Sequence, residues 1–498
     1  MLERLEKVID RASVAPRIEA LLPVGVRERQ LKVRTLLLGM LLALEDGRPA
    51  HLTRVHKALL SLGEQERHRL GVIAIWKRKA HTLTYRQVEY TFDLVMEALE
   101  KSHPDGEPSE LLQDVIDALV EASISEQYKR ASSALAVDWT DIETFSCPPL
   151  ERGGECADPE ASWGHRRGDS PGQADELFFG YYLSLAVVVR EEDGDAVPEL
   201  ARRMELSSCH VDPPTSLVSV LERMTRAGVA MGDVLCDSGY AHRVAEHWAA
   251  PLRRLGASLV MDLHPHDRGL QGTHEGANCF NGNLYCPATP KALFELGPLA
   301  REASTEQVVA HDQLSSELGR YRFGRITKDD EDGYHRVMCP AVMGKCRCVL
   351  RDESMTLSLT HPEVLRPPEQ PPVCCVNKTL TVPPEVNAKT AQKHPYPSAA
   401  HRQSYKRRSG AERANSTIKD PATNDISRGW CRLMGLAPIS LFVACVLVVR
   451  NLRVEDAFCA RQAEDARRLA AGIAPKTRRR RRKTLADLVG AAPANAPP

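Results

Sequence analysis

The chain has 498 residues, 43% hydrophobic and 27% charged, with 66 basic and 66 acidic side chains that cancel. That length gives room for two to four domains with buried cores, and the zero net charge excludes nucleic-acid binding by bulk basicity, so any such binding rests on uneven placement of charge. Fourteen scattered cysteines and a charged opening, MLERLEKVID, with no signal-like apolar run lead us to expect free thiols in a reducing cytoplasm.

Residues 1–100 read as helical. "VRTLLLGMLLALEDG" stops at Gly47, and "HLTRVHKALLSLG" repeats the pattern with a cationic face and stops at Gly63. "TYRQVEYTFDLVMEAL" opens with Thr84 and Gln87 at capping-box spacing. The apolar runs Leu31–Leu44 and Gly435–Val449 fall short of the roughly 20 residues of a spanning helix. Both are expected as buried helices, with no membrane as partner.

The middle of the chain shows its element order. "SALAVDW" (Ser133–Trp139) is an apolar strand ending in acid, and "ELFFGYYLSLAVVV" (Glu176–Val189) is a long second strand. The turn "EEDGDA" leads to a third strand near Val197–Leu206. A helix over Ser216–Val229, a strand over Asp233–Tyr240, a helix closed by Gly256 and a strand at "ASLVMDL" follow. This predicts an α/β domain over 125–262 in the order β-β-β-α-β-α-β. Residues 263–400, rich in Pro, Gly and Cys with short broken strands, read as a β-rich insertion. Helical pattern returns over 401–470, and 471–498, with its block KTRRRRRK, reads as a basic disordered tail.

Acids close the first strand (Asp138) and the fourth (Asp237). Parallel neighbours in such a sheet open their carboxyl ends onto one crevice. Two carboxylates there repel unless a cation neutralises them, and Mg²⁺ suits oxygen ligands. Asp141, three residues on, is the competing choice for the first acid, and it reads with Glu143 as a solvated or supporting group. Late in the chain "YKRRSGAERANSTIK" places Tyr405, Arg408, Glu412 and Lys419 within one helical stripe about 60° wide, extended by Ser416. That stripe suits cations on a phosphate backbone with one carboxylate among them, or else a solvated face.

The spacing Y-x(2)-R-x(3)-E-x(6)-K over these four residues resembles the signature of bacterial insertion-sequence DDE transposases, whose catalytic core is ribonuclease H-like. "AVDWTDIETF" and "VLCDSGYAHR" resemble the segments carrying that family's first and second Asp. "DPEASWG" and "FFGYYLSLAV" are similar to its actinobacterial form, and the resemblance spans roughly residues 20–460. It implies a metal-binding catalytic triad of Asp138, Asp237 and Glu412, with two Mg²⁺ (or Mn²⁺) ions. Tyr405, Arg408 and Lys419 are implied as DNA-binding residues on the phosphates of a transposon end and of a hairpin intermediate. It further implies metal-dependent DNA cleavage and strand transfer, terminal inverted repeats and target DNA as partners, a homodimer in the synaptic complex, and a bacterial cytoplasmic, nucleoid-associated location. Residues 1–100 are then a DNA-end-binding domain or a plain packing domain.

Other readings stand beside it. A non-catalytic or domesticated DNA-binding relative, or a nuclease of the same fold without strand transfer, fits the same acids. Tyr405 as a covalent nucleophile is disfavoured by the carboxylates around the site. Some relatives stack a flipped base on an insertion Trp; here Trp occurs at 76, 139, 163, 248 and 430, none in the insertion, leaving Tyr285, Tyr321 or Tyr334. Cys339, Cys346, Cys348, Cys374 and Cys375 read as ordinary thiols or as a zinc site with irregular spacing. The histidines of "DLHPHDRG" read as a loop. The basic block adds sequence-independent phosphate affinity or has no dedicated role.

Overall fold

The computed structural model describes residues 1–24, 28–47, 49–76, 78–100, 107–151, 154–166, 175–300, 302–364, 366–420, 426 and 429–475. The basic block KTRRRRRK lies outside the described residues. The chain divides into two compact units, Met1–Leu452 and Arg453–Pro498.

The first unit opens with α1 (Leu2–Ala12), α2 (Val14–Leu21), α3 (Val33–Glu45), α4 (Leu52–Leu60) and α5 (Glu64–Arg69). A small hairpin follows, β1 (Ile73–Trp76) and β2 (Lys79–Thr82), in a stretch expected to be wholly helical. Then come α6 (Tyr85–Leu99), α7 (Glu110–Ala122) and α8 (Glu126–Lys129). The capping box expected at Thr84 and Gln87 is present and starts α6. Almost every apolar residue of α3 is buried, as its uninterrupted apolar sequence requires.

The main sheet is mixed and open. Its strands are β3 (Leu135–Glu143), β4 (Ser162–Arg166), β5 (Glu176–Val188) and β6 (Ala201–Ser208), then β7 (Asp233–Cys236) and β8 (Ser258–Met261). The helices α9 (Pro213–Arg226) and α10 (Ala249–Arg254) lie between β6 and β8 in the chain. One edge of the long β5 pairs antiparallel with β3; the other is shared between β4, at residues 176–180, and β6, at 181–187. β3, β7 and β8 run parallel. At Gly180 a side chain would press its Cβ to 2.1 Å from the Ile142 carbonyl, so only glycine lets β5 lie against β3 there.

β4 is an addition to the expected order. The third strand begins at Ala201 and not near Val197, since Pro198 has no N–H to give a ladder. The helix expected up to Gly256 forms only at Ala249–Arg254, after two short 3₁₀ turns; Pro251 is tolerated only in a first turn and so sets the start.

Alternation along β3 splits two cores. Leu135 and Val137 pack with Leu217, Val220 and Leu252 beneath α9 and α10. Ala134, Ala136 and Ile142 face the opposite side, in one continuous core with α1, α3 and the helices near the end of the unit.

The insertion holds β9 (Leu270–His274), β10 (Ala277–Phe280), β11 (Asn283–Tyr285), α11 (Thr305–Arg320), β12 (Gly324–Arg325) and β13 (His335–Met338). After these come β14 (Arg347–Cys348), β15 (Glu363–Val364), α12 (Val373–Val376) and β16 (Thr379–Val382), so that the strands make three small sheets. The helix α11 was not anticipated, although Ser304 and Gln307 form a capping box at its start. The chain then returns through α13 (Ala399–Tyr405), a 3₁₀ turn at Lys406–Arg408 and α14 (Ser409–Ile418) to α15 (Leu436–Ala470). By length and composition α15 could cross a membrane, but its apolar window is 89% buried, as in a core helix of a soluble protein.

Candidate functional site

The parallel register of β3 and β7 pairs Leu135 with Val234 and Ala136 with Leu235. Asp138 and Asp237 stand two residues beyond the last of these pairs, and the charge of Asp237 acts on Asp138; Asp237 follows the end of β7 as expected, but Asp138 does not close its strand, since β3 runs on to Glu143 against β5. Ala136 and Leu235 share the core that also holds α1 and α3, so alternation puts both carboxylates on the sheet face that α14 covers. On α14, Ala411, Ala414 and Ile418 are buried against that face.

Each acid is held. Asp138 accepts from the Asn415 side-chain amide at 3.0 Å and from the Trp139 amide at 3.0 Å. Asp237 accepts from the Gly239 N–H at 2.8 Å. Any Cβ on Gly239 would sit 2.7 Å from the Trp139 ring and 2.9 Å from that same Asp237 oxygen, so the close approach requires glycine. Burial and the charge of Asp237 push the Asp138 carboxyl up to about 7; Arg408 opposes this and Glu412 adds to it. Asp138, Asp237, Glu412 and Arg408 therefore share one electrostatic neighbourhood.

Glu412 stands in the first turn of α14, its side chain half exposed, and accepts from Arg408 Nη2 at 2.6 Å. The Arg408 guanidinium also lies 5.4 Å from the centre of the Tyr405 ring, which stacks on His401 at 5.6 Å. Burial pushes the Tyr405 phenol above its usual range; Arg408 opposes this, and the charges of Asp262 and Asp237 add to it. Tyr405, Arg408 and Glu412 thus converge even though a 3₁₀ turn interrupts the helix between them.

Lys419 does not join that group. It caps the end of α14 and pairs with Asp141 at 2.9 Å. Asp141 is also held by Arg166 at 2.5 Å, and although burial opposes it, these two cations keep its carboxyl below its usual range. Glu143 takes a second bond from Arg166 at 2.5 Å. Asp141 and Glu143 are spent on ion pairs, whereas Asp138 faces another acid.

One acid was overlooked in the sequence. The β7–β8 register ends at Cys236 opposite Met261; Asp237 and Asp262 each follow directly on that pair, and both charges act on Tyr405. Asp262 accepts from the Tyr396 hydroxyl at 2.7 Å and from Arg268 at 3.2 Å. Its signal was legible: "ASLVMD" is a third parallel strand that ends in an acid.

Hard carboxylate oxygens drawn from adjacent parallel strands fit Mg²⁺ or Mn²⁺, which would relieve the repulsion borne by Asp138. As placed, Glu412 is engaged by Arg408, and among the described residues no three His, Cys, Asp or Glu side chains form a ready metal site. Of the three tyrosines considered for stacking, Tyr285 and Tyr321 are buried and Tyr334 is 41% exposed, so Tyr334 is the one available. In the N-terminal helices, a groove of about 1000 Å³ is lined by Arg29, Lys32, Trp76, Gln87 and Tyr90, with Arg29 paired to Glu19 and Lys32 to Glu28. Compared with models of known families and with curated proteins, the chain matches none.

Proposed function

We propose that the chain is a DDE-type DNA transposase that cuts the ends of a mobile element and joins them to target DNA. The observation that carries this reading is the nearness of Asp138, within β3 just past its pairing with β7, to Asp237 at the end of β7, on the face covered by the helix that bears Glu412. The strand order β6-β5-β3-β7-β8, with β5 antiparallel to its neighbours, supports a ribonuclease H-like core.

Asp138, Asp237 and Glu412 would hold two Mg²⁺ or Mn²⁺ ions. When bound, those ions supply charge neutralisation and an activated oxygen nucleophile for in-line phosphoryl transfer. Asn415 fixes the Asp138 carboxylate, and the Gly239 amide fixes that of Asp237. Arg408 is the cation nearest the acids; on a DNA end it would exchange Glu412 for phosphate oxygens, freeing Glu412 toward the other acids. Tyr405 orients Arg408 through its ring. With its phenol buried and held protonated, it is a poor covalent nucleophile. Lys419 serves the DNA backbone from the far end of α14, where Asp141 holds it.

The partners are the element's terminal inverted repeats, target DNA and a second copy of the chain, in a bacterial cytoplasm at the nucleoid. The Arg408–Glu412 pair favours one second reading, a DNA-binding relative that does not cut. The test is cleavage of a labelled fragment carrying the native flanking DNA, with Mg²⁺, by wild type and Glu412→Gln. End-specific cutting lost in the variant supports the transposase. Binding with no cutting by either protein supports the second reading, and cuts that are never rejoined point to a nuclease of the same fold.

A further inference from the structure

Six cysteines from four separate segments line one small cavity in the insertion: Cys286, Cys339, Cys346, Cys348, Cys374 and Cys375. The cavity holds about 20 Å³, enough for a single water or ion. All fourteen cysteines of the chain are free thiols, so no disulfide draws these six together.

The local backbone is built to gather them. After Cys339 the chain folds back on itself: the Met343 amide donates to the Cys339 carbonyl at 3.0 Å and the Gly344 amide to that of Ala341 at 3.1 Å. Gly344 takes φ +73°, which a side chain would resist, and the loop returns Cys346 to the cavity. The Ser354 hydroxyl bonds both the N–H and the carbonyl of Cys348, fixing the next thiol. The short helix α12 then presents Cys374 and Cys375.

Cys339 lies close enough to four of the other five thiols, Cys286, Cys346, Cys348 and Cys374, for their charges to interact. Arg351 also lines the cavity. The surrounding module has little else to stiffen it, with strands of only two to five residues and a core in which six of the nineteen buried residues are cysteine. Modules so poor in regular structure are commonly stapled by metal or disulfide. Thiols packed only as small apolar groups would close over the space they surround.

We infer that this cavity is a structural zinc site, independent of the carboxylates of the main sheet, with Cys339 as its central ligand. Four of the thiols release their protons to solvent as four Zn–S bonds of about 2.3 Å form. As placed, no three of these sulfurs are positioned to hold a metal ion, so the site would require side-chain rotation into the cavity they line.

The experiment is metal analysis of the untagged full chain, purified under reducing conditions from zinc-supplemented cells. The expected result is one zinc per chain. Replacing it with Co²⁺ should give thiolate-to-cobalt charge-transfer bands and the intense d–d bands of a tetrahedral sulfur site. Cys339→Ser should lose the metal, and Cys279→Ser, in the same core but away from the cavity, should keep it. Should Cys339→Ser fail to fold, the wild-type measurements decide alone. A reduced, folded wild-type chain with no zinc and no cobalt–thiolate bands overturns the inference, as does full zinc content in soluble Cys339→Ser.

Discussion

The Asn415 side-chain amide donates to Asp138 across a sequence separation of 277 residues, tying α14 to β3. This bond makes the position of the late helix depend on the first acid, and the position of the first acid depend on the helix. Asn415→Ala should lower DNA cleavage about tenfold through misplacement of the carboxylate, and lower stability by about 1 kcal/mol. Binding to a labelled end should be unchanged. Cleavage at the wild-type rate in a folded variant would remove Asn415 from the account.

Asp138 and Asp141 are separated by their partners. Under the proposed function Asp138→Asn should reduce cleavage by about 10³-fold or more, because the carboxylate facing another carboxylate would be the one that binds the ions. Asp141→Asn should keep cleavage within about tenfold while loosening Lys419, and should steepen the dependence of DNA binding on salt as that cation is freed for phosphate. Parallel cleavage and salt titrations check both. The reverse ranking would mean that Asp141 is the first acid.

Glu192 gives the chain an acid-sensitive joint between the end of β5 and the return from the insertion. It pairs with Lys393 and His394, each at 2.8 Å. Burial opposes its charge, but the bonds from Lys393 and His394 outweigh it and hold the carboxyl at about 2, below its ordinary 4.5. A depressed carboxylate stabilises the folded chain above about pH 4.5, and that contribution fades as the pH falls toward 2. Glu192→Gln should cost about 1 kcal/mol at pH 7 after allowance for solvent screening. The gap from wild type should close on acidification in denaturant melts. A gap that stays constant with pH would rule out the ion pairs as its source.

Asn451 is fully buried and covers the edge of β6. It accepts from the Ala201 N–H at 2.9 Å, donates to the Ala201 carbonyl at 2.7 Å and donates to Ser123 at 2.9 Å. Asn451→Leu leaves a buried strand end without partners and should cost about 2–4 kcal/mol, read as a lower denaturant midpoint with unchanged slope. A variant as stable as wild type would mean that water reaches this edge.

Periodicity and turn residues made much of this visible in advance. The strands at "SALAVDW" and "ELFFGYYLSLAVVV", the α6 capping box and the burial of both apolar runs follow from local pattern. β4 was missed because "SWGHR" is short and polar, and it becomes a strand only because β5 is long enough to offer a second edge. α11 was missed because a Pro- and Gly-rich neighbourhood outweighed its own capping signal. The pairing of Lys419 with Asp141 depends on how α14 crosses the sheet, which no spacing along one helix encodes. The same holds for the six thiols, which are irregular in sequence and adjacent only in the fold.

The core shared by α1, α3, α14 and α15 has a consequence for how the chain is made. Leu5, Ile9, Leu36 and Leu37 are buried in the same cluster as Ala411, Ala414 and Leu441–Val449. At translation rates of about 5–20 residues per second, the early leucines leave the ribosome roughly 20–80 s before their partners are synthesised. Through that interval they are open to holding chaperones and to neighbouring nascent chains. Ribosomes that stall before α15 release a polypeptide whose first helices can close on α4, α6 and α7 but lack the late part of their core, so yield of folded protein depends on the end of the message being read without pause.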